Sequence, residues 1–303
     1  MSHPPAAAPV RLGWIGLGRM GLPMAGKLLD AGHRLVVFAR SAPGREALAA
    51  RGAVVAPDVA GCAAGADVVF ASLTNDDALR QVALGPAGVL AHARPGAVFV
   101  DTTTVSAEVS AEVAAEARRR GLAYLRAPIS GNAAQAVRGE VTVLVSGPAE
   151  AWARVQPLCA AFSRDQVYLG EGEQARVMKL VVNALVYDFA QALAEALTLG
   201  RAAGIDWALM LDTVARSTIA SPWLKVKAGL LARRDFTATM TPDLVLKDMD
   251  LMLDLARRHG VAMPLTAGTR QAMQALVGEG MGAEDYLAVV KLAERQAGLP
   301  GEP

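Results

Sequence analysis

The stretch VRLGWIGLGRMGLPMAGKLL, residues 10–29, decides how the first half of this chain folds. A β-type run leads into Gly16, Gly18 and Gly21, which form the Gly-x-Gly-x-x-Gly pattern, and a helical segment follows. The first glycine permits a tight turn, the second lets a pyrophosphate approach the backbone, and the third lets the helix pack closely on the strand. Because the pattern lies between a strand and a helix, it predicts a dinucleotide-binding loop. The loop residues expected to bind the cofactor are Gly16, Leu17, Gly18, Arg19, Met20 and Gly21.

From about residue 10 to residue 170, β-type runs alternate with helical segments. The later β-type runs are RLVVFA, DVVFASL, AVFVDT, LAYLRA, VTVLVSG and QVYLG. The helical segments run from Leu22 to Ala31, Asp76 to Val82, Ser106 to Arg120 and Glu150 to Phe162. Strands that alternate with helices predict a parallel, doubly wound α/β sheet of the Rossmann type.

After Gly170 the pattern becomes helical. The run QARVMKLVVNALVYDFAQALAEALTLGRAAG is apolar almost all round, which is typical of a helix buried in a bundle or at a subunit interface. Further helical segments are predicted from Trp207 to Val214, Asp243 to His259, Leu265 to Gly278 and Ala283 to Gln296. We therefore predict a disordered tail over residues 1–9, a Rossmann-type cofactor domain over 10–170 and an all-α substrate and oligomerisation domain over 171–303, joined by a long interdomain helix.

Composition argues against several classes of protein. Hydrophobic residues make up 53% of the chain and charged residues 19%, which indicates a globular protein. Thirty basic and 29 acidic residues, with no basic run longer than three, argue against nucleic-acid binding. Two distant cysteines and four scattered histidines predict neither a disulfide framework nor a metal site, and favour a cytoplasmic location. The chain begins without a signal-peptide pattern, and no apolar run approaches the roughly 20 residues needed to span a bilayer, so we expect no membrane association.

The second predicted strand ends in VVFARSAPGR, where an NAD site usually carries a carboxylate about 20 residues beyond the glycine loop. Arg40 and Ser41 stand there instead. A guanidinium group can contact phosphate oxygens in a bidentate way, and a hydroxyl can add a further hydrogen bond. These residues predict a preference for NADP(H) over NAD(H).

Two polar residues interrupt the apolar run RVMKLVVNALVYDF, residues 176–189. Lys179 and Asn183 are four residues apart, so they share one face of a helix, and Tyr187 is the next step along it. A buried ammonium group is costly unless an anion accompanies it or its pKa shifts. This face therefore either meets solvent or meets something anionic.

Five segments occur in the order in which one known family carries them: GWIGLGRMGLPMAGKLL with FARS, then DTTTVS, RAPISGN, GEGEQARVMKLVVNAL and LVLKDMDL. They resemble the cofactor loop, the Asp-x-Ser-Thr-x-Ser segment, the Asp-Ala-Pro-Val-Ser-Gly-Gly substrate loop, the Gly-x-Gly-x-x-x-Lys-x-x-x-Asn catalytic helix and the Lys-Asp segment of the β-hydroxyacid dehydrogenases. That family includes 3-hydroxyisobutyrate dehydrogenase and the tartronate and glyoxylate/succinic semialdehyde reductases. The resemblance implies a C-terminal domain like that of 6-phosphogluconate dehydrogenase.

The resemblance also implies roles for individual residues. Lys179 is expected to donate or accept the hydroxyl proton during hydride transfer, and Asn183 to bind the substrate or hold the lysine. Ser130, with the N–H groups of Gly131 and Asn132, is expected to receive the substrate carboxylate. The remaining implied cofactor contacts are Leu73, Thr74, Lys247 and Asp248, together with Thr104, which also lies beside the substrate.

Three departures from the family pattern bear on the substrate. Asn132 replaces a glycine, Arg126 replaces aspartate, and Met240 replaces phenylalanine. The added amide and arginine hint at a more polar substrate or a second anionic group, although pairing with a surface carboxylate is the commoner role of a single arginine. The roles of Trp223 and Tyr187 stay unassigned.

The leading function is NADPH-dependent reduction of a small carboxylated aldehyde, reversible as β-hydroxyacid oxidation. One alternative is an imine reductase, although those proteins generally carry aspartate or tyrosine where this chain has Lys179. A 6-phosphogluconate dehydrogenase is disfavoured because its catalytic helix carries a histidine and glycines around the lysine. A non-enzymatic alternative is an NADP-binding assembly or sensing module. The family resemblance implies a homodimer or homotetramer.

Overall fold

The computed structural model describes residues 10 to 300, so the tail predicted over residues 1–9 lies outside the described residues. Contacts divide the chain into two compact units between Lys179 and Leu180. The sequence placed this division near residue 170, before the long helix. The structure places it inside that helix, because the helix's first turns pack into the α/β unit, where Ala175 and Arg176 are buried.

Among its described residues, the first unit contains a sheet of six parallel strands: β1 (Leu12–Ile15), β2 (Leu35–Phe38), β3 (Val54–Val55), β4 (Val68–Ala71), β5 (Val98–Asp101) and β6 (Ala123–Arg126). Their order across the sheet is β3-β2-β1-β4-β5-β6, which is the doubly wound Rossmann order. Alternate residues of the central strands enter cores on opposite faces, as Phe70 and Val69 of β4 do. The predicted α/β fold class is confirmed.

Eight helices of the first unit cover this sheet and the segments after it: α1 (Gly21–Asp30), α2 (Ala42–Ala49), α3 (Val59–Ala63), α4 (Asp76–Leu84), α5 (Val89–His92), α6 (Ala107–Arg119), α7 (Ala133–Arg138) and α8 (Ala149–Cys159). The helices that the sequence predicted correspond to α1, α4, α6 and α8. The other four were missed because they are short, and a helix of two turns or fewer shows little hydrophobic periodicity.

A second, three-stranded sheet was not predicted as a separate element. It consists of β7 (Ile129–Ser130), β8 (Val141–Val145) and β9 (Ser163–Tyr168), with β7 antiparallel to β8 and β8 parallel to β9. The chain leaves the first sheet just before Pro128, which has no N–H with which to continue a ladder. This sheet fixes Ser130 opposite Thr142.

The register of the first sheet brings several loops to one edge. Ile15 pairs with Ala71, and Ala71 pairs with Asp101, so β1, β4 and β5 end side by side. The direction of the strand order reverses between β1 and β4. In such sheets, ligands bind outside the carboxyl ends of the strands at this reversal.

The helix α9 (Gln174–Ala202) is continuous over 29 residues. By length and composition alone, this helix is long and apolar enough to cross a membrane, which the sequence analysis did not recognise. One helix of this kind is weak evidence for a membrane span, because the core helix of a globular protein passes the same test. Tyr187, Leu193 and Leu197 of α9 belong to the core of the second unit.

The second unit is all-α, as predicted. After α9 it contains α10 (Trp207–Arg216), α11 (Pro222–Ala232), α12 (Pro242–Arg258), α13 (Pro264–Gly278), a 3-10 turn (Tyr286–Ala288) and α14 (Val289–Gln296). The sequence missed α11, and the helix predicted from Ala283 begins later. Asp285 caps the 3-10 turn by accepting a hydrogen bond of 3.2 Å from the Leu287 N–H, which separates that turn from the residues before it.

Candidate active site

The glycine loop joins β1 to α1, and its three glycines serve different purposes. Gly16 has a φ of +90°, and a Cβ there would lie 2.2 Å from the Ser72 carbonyl oxygen. A Cβ on Gly21 would lie 2.0 Å from the carbonyl oxygen of Gly16. Beside Gly18, in contrast, nothing lies within 4 Å of the position that a Cβ would take. The protein's own packing therefore requires the outer two glycines, and the middle one leaves open space of the kind an approaching pyrophosphate needs.

The start of α1 also suits an anion. The first turn of the helix carries no acidic residue, and Met20 at its N-cap contributes no side-chain hydrogen bond. Gly18 and Arg19 are exposed, whereas Leu17 is buried in the core and holds the loop in place. Helix N-termini favour negative charge through their N–H groups and dipole, so the residues present fit a dinucleotide phosphate.

Arg40 and Ser41 follow β2 beside this loop. The Gly16 N–H donates a hydrogen bond of 2.8 Å to the Phe38 carbonyl, which brings the end of β2 next to the glycine turn. Both Arg40 and Ser41 are exposed, and Ser41 stands at the N-cap of α2 without using its side chain as a cap. Within residues 10 to 300, no carboxylate forms an ion pair with Arg40. Both side chains can therefore reach toward a ligand.

Hydrogen bonds link the loops that follow β4 and β5. The Leu73 N–H donates a hydrogen bond of 3.0 Å to the Thr103 hydroxyl oxygen, and the Thr102 hydroxyl donates one of 2.8 Å to the Ala71 carbonyl. Leu73 and Thr104 are half-buried, and Thr74 is exposed. Three residues that the sequence assigned to the cofactor thus lie on two adjoining loops at the reversal of the strand order.

The predicted carboxylate receptor lies on β7 and the turn after it. Gly131 has a φ of +138°, a conformation that favours glycine, and Ser130 is half-buried. Asn132 caps α7: its side-chain oxygen accepts from the Gln135 N–H, and its own N–H donates to the Gln135 side chain, both at 3.0 Å. This capping box explains Asn132 without any ligand. The main-chain N–H expected to bind a carboxylate is engaged, so the amide nitrogen of Asn132 is the group left to reach a substrate.

Lys179 lies on α9 and is only 9% exposed. The likeness of this helix to the family pattern is looser than the sequence comparison implied. Gly172 precedes Lys179 by seven residues, whereas Gly-x-Gly-x-x-x-Lys places its second glycine four residues before the lysine. The longer spacing accommodates Glu173 and Arg176, both of which form ion pairs inside the first unit.

In the second unit, Asn183, Tyr187 and Asp248 form a closed hydrogen-bonded triangle. The Asn183 amide nitrogen donates to the Tyr187 hydroxyl at 3.0 Å and to the Asp248 carboxylate at 2.8 Å. The Tyr187 hydroxyl donates to the same carboxylate oxygen at 2.9 Å. Burial, followed by the effect of Asp248, raises the pKa of Tyr187 well above its usual value, so its hydroxyl keeps the proton that it donates.

This triangle fixes the chemical polarity of Asn183. A carboxylate can only accept hydrogen bonds, so the nitrogen of the Asn183 amide must face Asp248. Both N–H bonds of the amide are then used, one toward Asp248 and one toward Tyr187. Asn183 therefore acts through its carbonyl oxygen, as an acceptor.

Lys247 and Asp248 are neighbours on α12. The Asp248 carboxylate, 2% exposed, accepts hydrogen bonds from Asn183 and Tyr187, and its contact with the cofactor stays a prediction. Lys247 is half-buried, and its ammonium nitrogen lies 2.9 Å from Asp248 Oδ1, close enough for charge pairing but not aligned for a hydrogen bond. The sulfur of Met240 lies 3.4 Å from the Tyr187 hydroxyl oxygen.

Asp285 holds Met240 in this position. Its Oδ2 accepts hydrogen bonds from the N–H groups of Thr239 at 2.9 Å and Met240 at 3.3 Å. Asp285 is 1% exposed and pairs with buried Lys227, whose ammonium lies 4.9 Å from the centre of the Tyr286 ring. Trp223, also unassigned from sequence, donates a hydrogen bond of 3.2 Å to the Tyr286 hydroxyl.

Arg126 does not present a free charge to a substrate. It is 6% exposed, forms an ion pair with Glu173, and stacks 5.0 Å from the centre of the Tyr124 ring. The hint of a second anionic substrate group drawn from Arg126 is therefore withdrawn. The alternative, pairing with a carboxylate, is correct, but the pair is largely buried and not on the surface.

Sequence reasoning missed Arg176 and Asp285 and left Tyr187 without a role. Tyr187 carried a signal, since it follows Asn183 by four residues on the same helix face. No sequence pattern marked Arg176 or Asp285, because their partners are distant in sequence. Asp101, for example, lies 75 residues before Arg176.

Comparisons with known proteins agree with this architecture. Residues 11–170 match the family described as the NAD binding domain of 6-phosphogluconate dehydrogenase, and residues 173–293 match the family described as NAD-binding of NADP-dependent 3-hydroxyisobutyrate dehydrogenase. The chain is 31% identical to 2-(hydroxymethyl)glutarate dehydrogenase of Eubacterium barkeri, over 96% of this chain and 97% of that protein. It is 32% identical to NAD-dependent L-serine dehydrogenase of Pseudomonas aeruginosa, over 95% of this chain and 99% of that protein.

Among solved structures, the fold is similar to 3-hydroxyisobutyrate dehydrogenase from Salmonella typhimurium, with a TM-score of 0.85 and 28% identity. The similarity covers 93% of this chain and 99% of that one. Both units of the chain are therefore matched by the same relatives.

Proposed function

The chain belongs to the β-hydroxyacid dehydrogenase family, and from that membership we propose that it interconverts a small β-hydroxyacid and its semialdehyde with NADP(H), using Lys179 as general acid and base. The observation that carries the proposal is the polar line on α9: a nearly buried Lys179, followed one turn later by an Asn183 amide held as an acceptor.

The relatives' names suggest the substrate class. 2-(Hydroxymethyl)glutarate, L-serine and 3-hydroxyisobutyrate each carry a hydroxymethyl group on the carbon that bears a carboxylate. They differ in the third substituent of that carbon: a carboxyethyl group, an ammonium group or a methyl group. We propose the shared HOCH2–CHR–COO⁻ unit as the substrate of this chain.

Lys179 and Asn183 supply the proton chemistry. A nicotinamide cofactor, when bound, would supply the hydride for reduction of the aldehyde carbon or accept it in the reverse direction. In reduction, the Lys179 ammonium polarises the carbonyl and transfers a proton to its oxygen as the alcohol forms, and it then regains a proton from solvent. The Asn183 carbonyl oxygen accepts a hydrogen bond from the ammonium or from the substrate hydroxyl, and it repels a carboxylate. Asn183 is thus suited to the reacting end of the substrate.

The Ser130 turn is suited to the other end. The Ser130 hydroxyl, the Gly131 N–H and the Asn132 amide nitrogen are donors on one short segment, as a carboxylate requires. Thr104 and Lys247 are proposed to contact substrate or cofactor, as the family resemblance implies. Asp248 is proposed to orient Asn183.

NADP(H) is proposed over NAD(H) because Arg40 and Ser41 occupy the position of the usual ribose-binding carboxylate and are both exposed. One family description names an NADP-dependent enzyme, whereas the relative from Pseudomonas aeruginosa is named NAD-dependent. The preference therefore rests on the two side chains of this chain.

We also propose a homo-oligomer in a reducing compartment such as the cytoplasm. One face of α9 exposes Val181, Leu185, Ala192 and Leu199, with Leu185 at 70% and Leu199 at 72% exposure. These residues repeat at helical spacing and form a stripe that half-buried Asp188 and exposed Glu195 flank on the same face, and exposed apolar residues grouped in this way favour an interface. The same stripe on a second copy would cover it. A Leu185→Glu variant that kept the wild-type mass in light scattering would contradict this interface.

Turnover tests the main proposal directly. Purified protein with NADPH is mixed with semialdehydes that vary in the third substituent and, separately, with a cyclic imine, and absorbance is followed at 340 nm. Lys179→Ala is expected to lower kcat by about 10²- to 10⁴-fold while cofactor binding persists. Exposed Lys225→Ala serves as the control and should retain wild-type rates.

Unchanged turnover in Lys179→Ala would refute the assigned role. Turnover of the imine alone would favour imine reduction. Cofactor binding without turnover of any compound would favour a binding module.

A further inference from the structure

Arg176 lies one helical turn before Lys179 and is 2% exposed. Its guanidinium group donates to the Thr103 carbonyl, to the Asp101 carboxylate at 2.5 Å and to the Tyr124 hydroxyl at 2.8 Å. Its Nε donates to the Ser110 hydroxyl oxygen at 3.3 Å. Each nitrogen of the guanidinium group thus has a partner on the β5–α6 segment or on β6.

The Asp101 carboxylate, which faces Arg176, is also fully engaged in hydrogen bonds. Asp101 is 0% exposed and accepts hydrogen bonds from the Thr103 N–H at 2.9 Å and the Tyr124 hydroxyl at 3.1 Å as well as from Arg176. Burial by itself would lower the pKa of Arg176, but Tyr124 and Asp101 raise that pKa above its usual value, so the guanidinium stays charged. The pair is buried and fully hydrogen-bonded.

This pair connects three parts of the candidate site in the first unit. Thr103, whose carbonyl Arg176 holds, directly precedes Thr104 and accepts the Leu73 N–H through its hydroxyl. Lys179 follows Arg176 on the same helix. A displacement of the guanidinium would therefore shift Lys179 relative to the loops that carry Leu73 and Thr104.

Stability alone is a poor explanation for such a pair. Desolvation of two charges offsets most of their attraction, and a well-packed apolar pair of similar volume is often at least as stable. A planar guanidinium fork, in contrast, specifies the direction of each bond, as a site that must hold its geometry requires.

We propose that Arg176 is a positioning residue for the proposed reaction: together with Asp101 it sets the helix of Lys179 against the loop of Thr104 without touching the substrate. The inference rests on the proposed function, and it names a specific structural cause for the placement of the catalytic lysine.

Arg126 provides a matched control. It is a second buried guanidinium in the same cluster, donates to the same Ser110 oxygen at 3.3 Å and pairs with Glu173. The main chains of Arg126 and Asp101 lie opposite each other in β6 and β5, but within residues 10 to 300 the Arg126 side chain forms no hydrogen bond or ion pair with Thr103 or Asp101. Arg126→Met and Arg176→Met therefore each remove one buried charge from the cluster. Only Arg176→Met removes the side-chain hydrogen bonds to Thr103 and Asp101.

The experiment compares Arg176→Met, Arg126→Met and the neutral double variant Arg176→Met/Asp101→Asn. Their stabilities are measured by urea unfolding, and kinetics are recorded well below each midpoint. A misplacement of about 1 Å can cost about 100-fold in rate. We expect a loss of about that size in kcat with little change in KM for both variants that lack Arg176, and a loss of less than about fivefold for Arg126→Met. The double variant is expected to be more stable than Arg176→Met but equally slow, because it leaves no unpaired buried charge.

A second readout does not depend on turnover. The rate at which acetic anhydride modifies Lys179, measured by peptide mass spectrometry relative to Lys27, should rise several-fold in the two variants lacking Arg176 and stay near the wild-type value in Arg126→Met. If the wild type reduces no β-hydroxyacid semialdehyde, the proposed function fails, but the labelling comparison still tests the position of Lys179. Three results would overturn the inference. They are equal losses of kcat in the Arg176 and Arg126 variants, values of kcat that fall in proportion to the free energy of unfolding across the variants, and an unchanged rate of Lys179 acetylation.

Discussion

Tyr187 and Asp248 share a hydrogen bond of 2.9 Å across 61 residues of sequence, and Asn183 donates to both. The bond turns the Asn183 amide so that its nitrogen faces the interior and its oxygen acts as the acceptor. A residue recognised only as the next polar step on the helix thus determines which atom of the neighbouring Asn183 amide is the acceptor.

Removal of the Tyr187 hydroxyl should release the Asn183 amide. A hydrogen bond to a charged group contributes about 1.5–3 kcal/mol, so Tyr187→Phe is expected to lower kcat by about tenfold or more. The affinity for NADP(H) should stay the same, since no cofactor contact is removed. Stopped-flow turnover and fluorescence titration of the cofactor measure the two quantities.

Tyr286→Phe is the control for Tyr187→Phe. Tyr286 is also buried, its ring centre lies 5.7 Å from that of Tyr187, and its hydroxyl bonds Trp223 instead of Asn183. An equal loss of kcat in both variants would show that the loss comes from removing a buried hydroxyl and not from a change in the orientation of Asn183.

Alanine at two glycines of the cofactor loop should give opposite defects. Gly18→Ala places a methyl group in open space, so the fold should keep its wild-type unfolding midpoint while cofactor affinity falls at least tenfold. Gly21→Ala forces a methyl group to within 2.0 Å of the Gly16 carbonyl oxygen, so the protein should lose thermal stability whether or not cofactor is present. Calorimetry and cofactor titration check the pair. Unchanged cofactor affinity in Gly18→Ala would contradict the assignment of that space to a pyrophosphate.

Replacement of Arg40 should change the choice between the two cofactors. Arg40→Ala is expected to lower kcat/KM with NADPH by about 10- to 100-fold and leave kcat/KM with NADH within about twofold, because only NADPH carries the 2'-phosphate. Arg34→Ala is the matched control, since Arg34 is exposed just before the opposite end of β2. An equal loss of kcat/KM with NADPH and NADH would mean that Arg40 stabilises the loop and does not bind the 2'-phosphate.

The two cysteines should be unreactive in the folded protein. Cys62 is 1% exposed, and burial raises its pKa from 9.0 to about 12; burial also raises the pKa of Cys159. Neither thiol should react with Ellman's reagent at pH 8 until urea unfolds the chain, and reaction at the unfolded rate without urea would contradict this.

The same shift makes the free energy of unfolding depend on pH. Since the folded pKa of Cys62 exceeds the unfolded one, its stabilising contribution is complete below pH 9 and is lost as the pH rises toward 12. Urea unfolding at pH 8 and pH 10 should show a smaller loss for Cys62→Ala than for the wild type.

Much of the fold and part of the site follow from local pattern. The glycines of residues 16–21, the alternation of strand and helix, and the missing carboxylate near Arg40 are properties of short segments, and short segments obey local rules of conformation. The i, i+4 spacing of Lys179 and Asn183 likewise needs no partner to be recognised. The short helices and the separate sheet that holds Ser130 left no comparable signal.

What only the tertiary structure decided is which distant groups meet. The sequence gives no sign that Asp101 and Arg176 form a pair, that Arg126 pairs with Glu173, or that Asp248 accepts hydrogen bonds from Asn183 and Tyr187. These contacts form because a buried polar group must find partners wherever the packed chain brings them. The sequence alone determined the Gly-x-Gly-x-x-Gly loop and the i, i+4 spacing of Lys179 and Asn183. The packing determined that the Asn183 amide nitrogen is used by Tyr187 and Asp248, which leaves its oxygen as the acceptor, and that Arg176 joins the start of α9 to Asp101 and Tyr124.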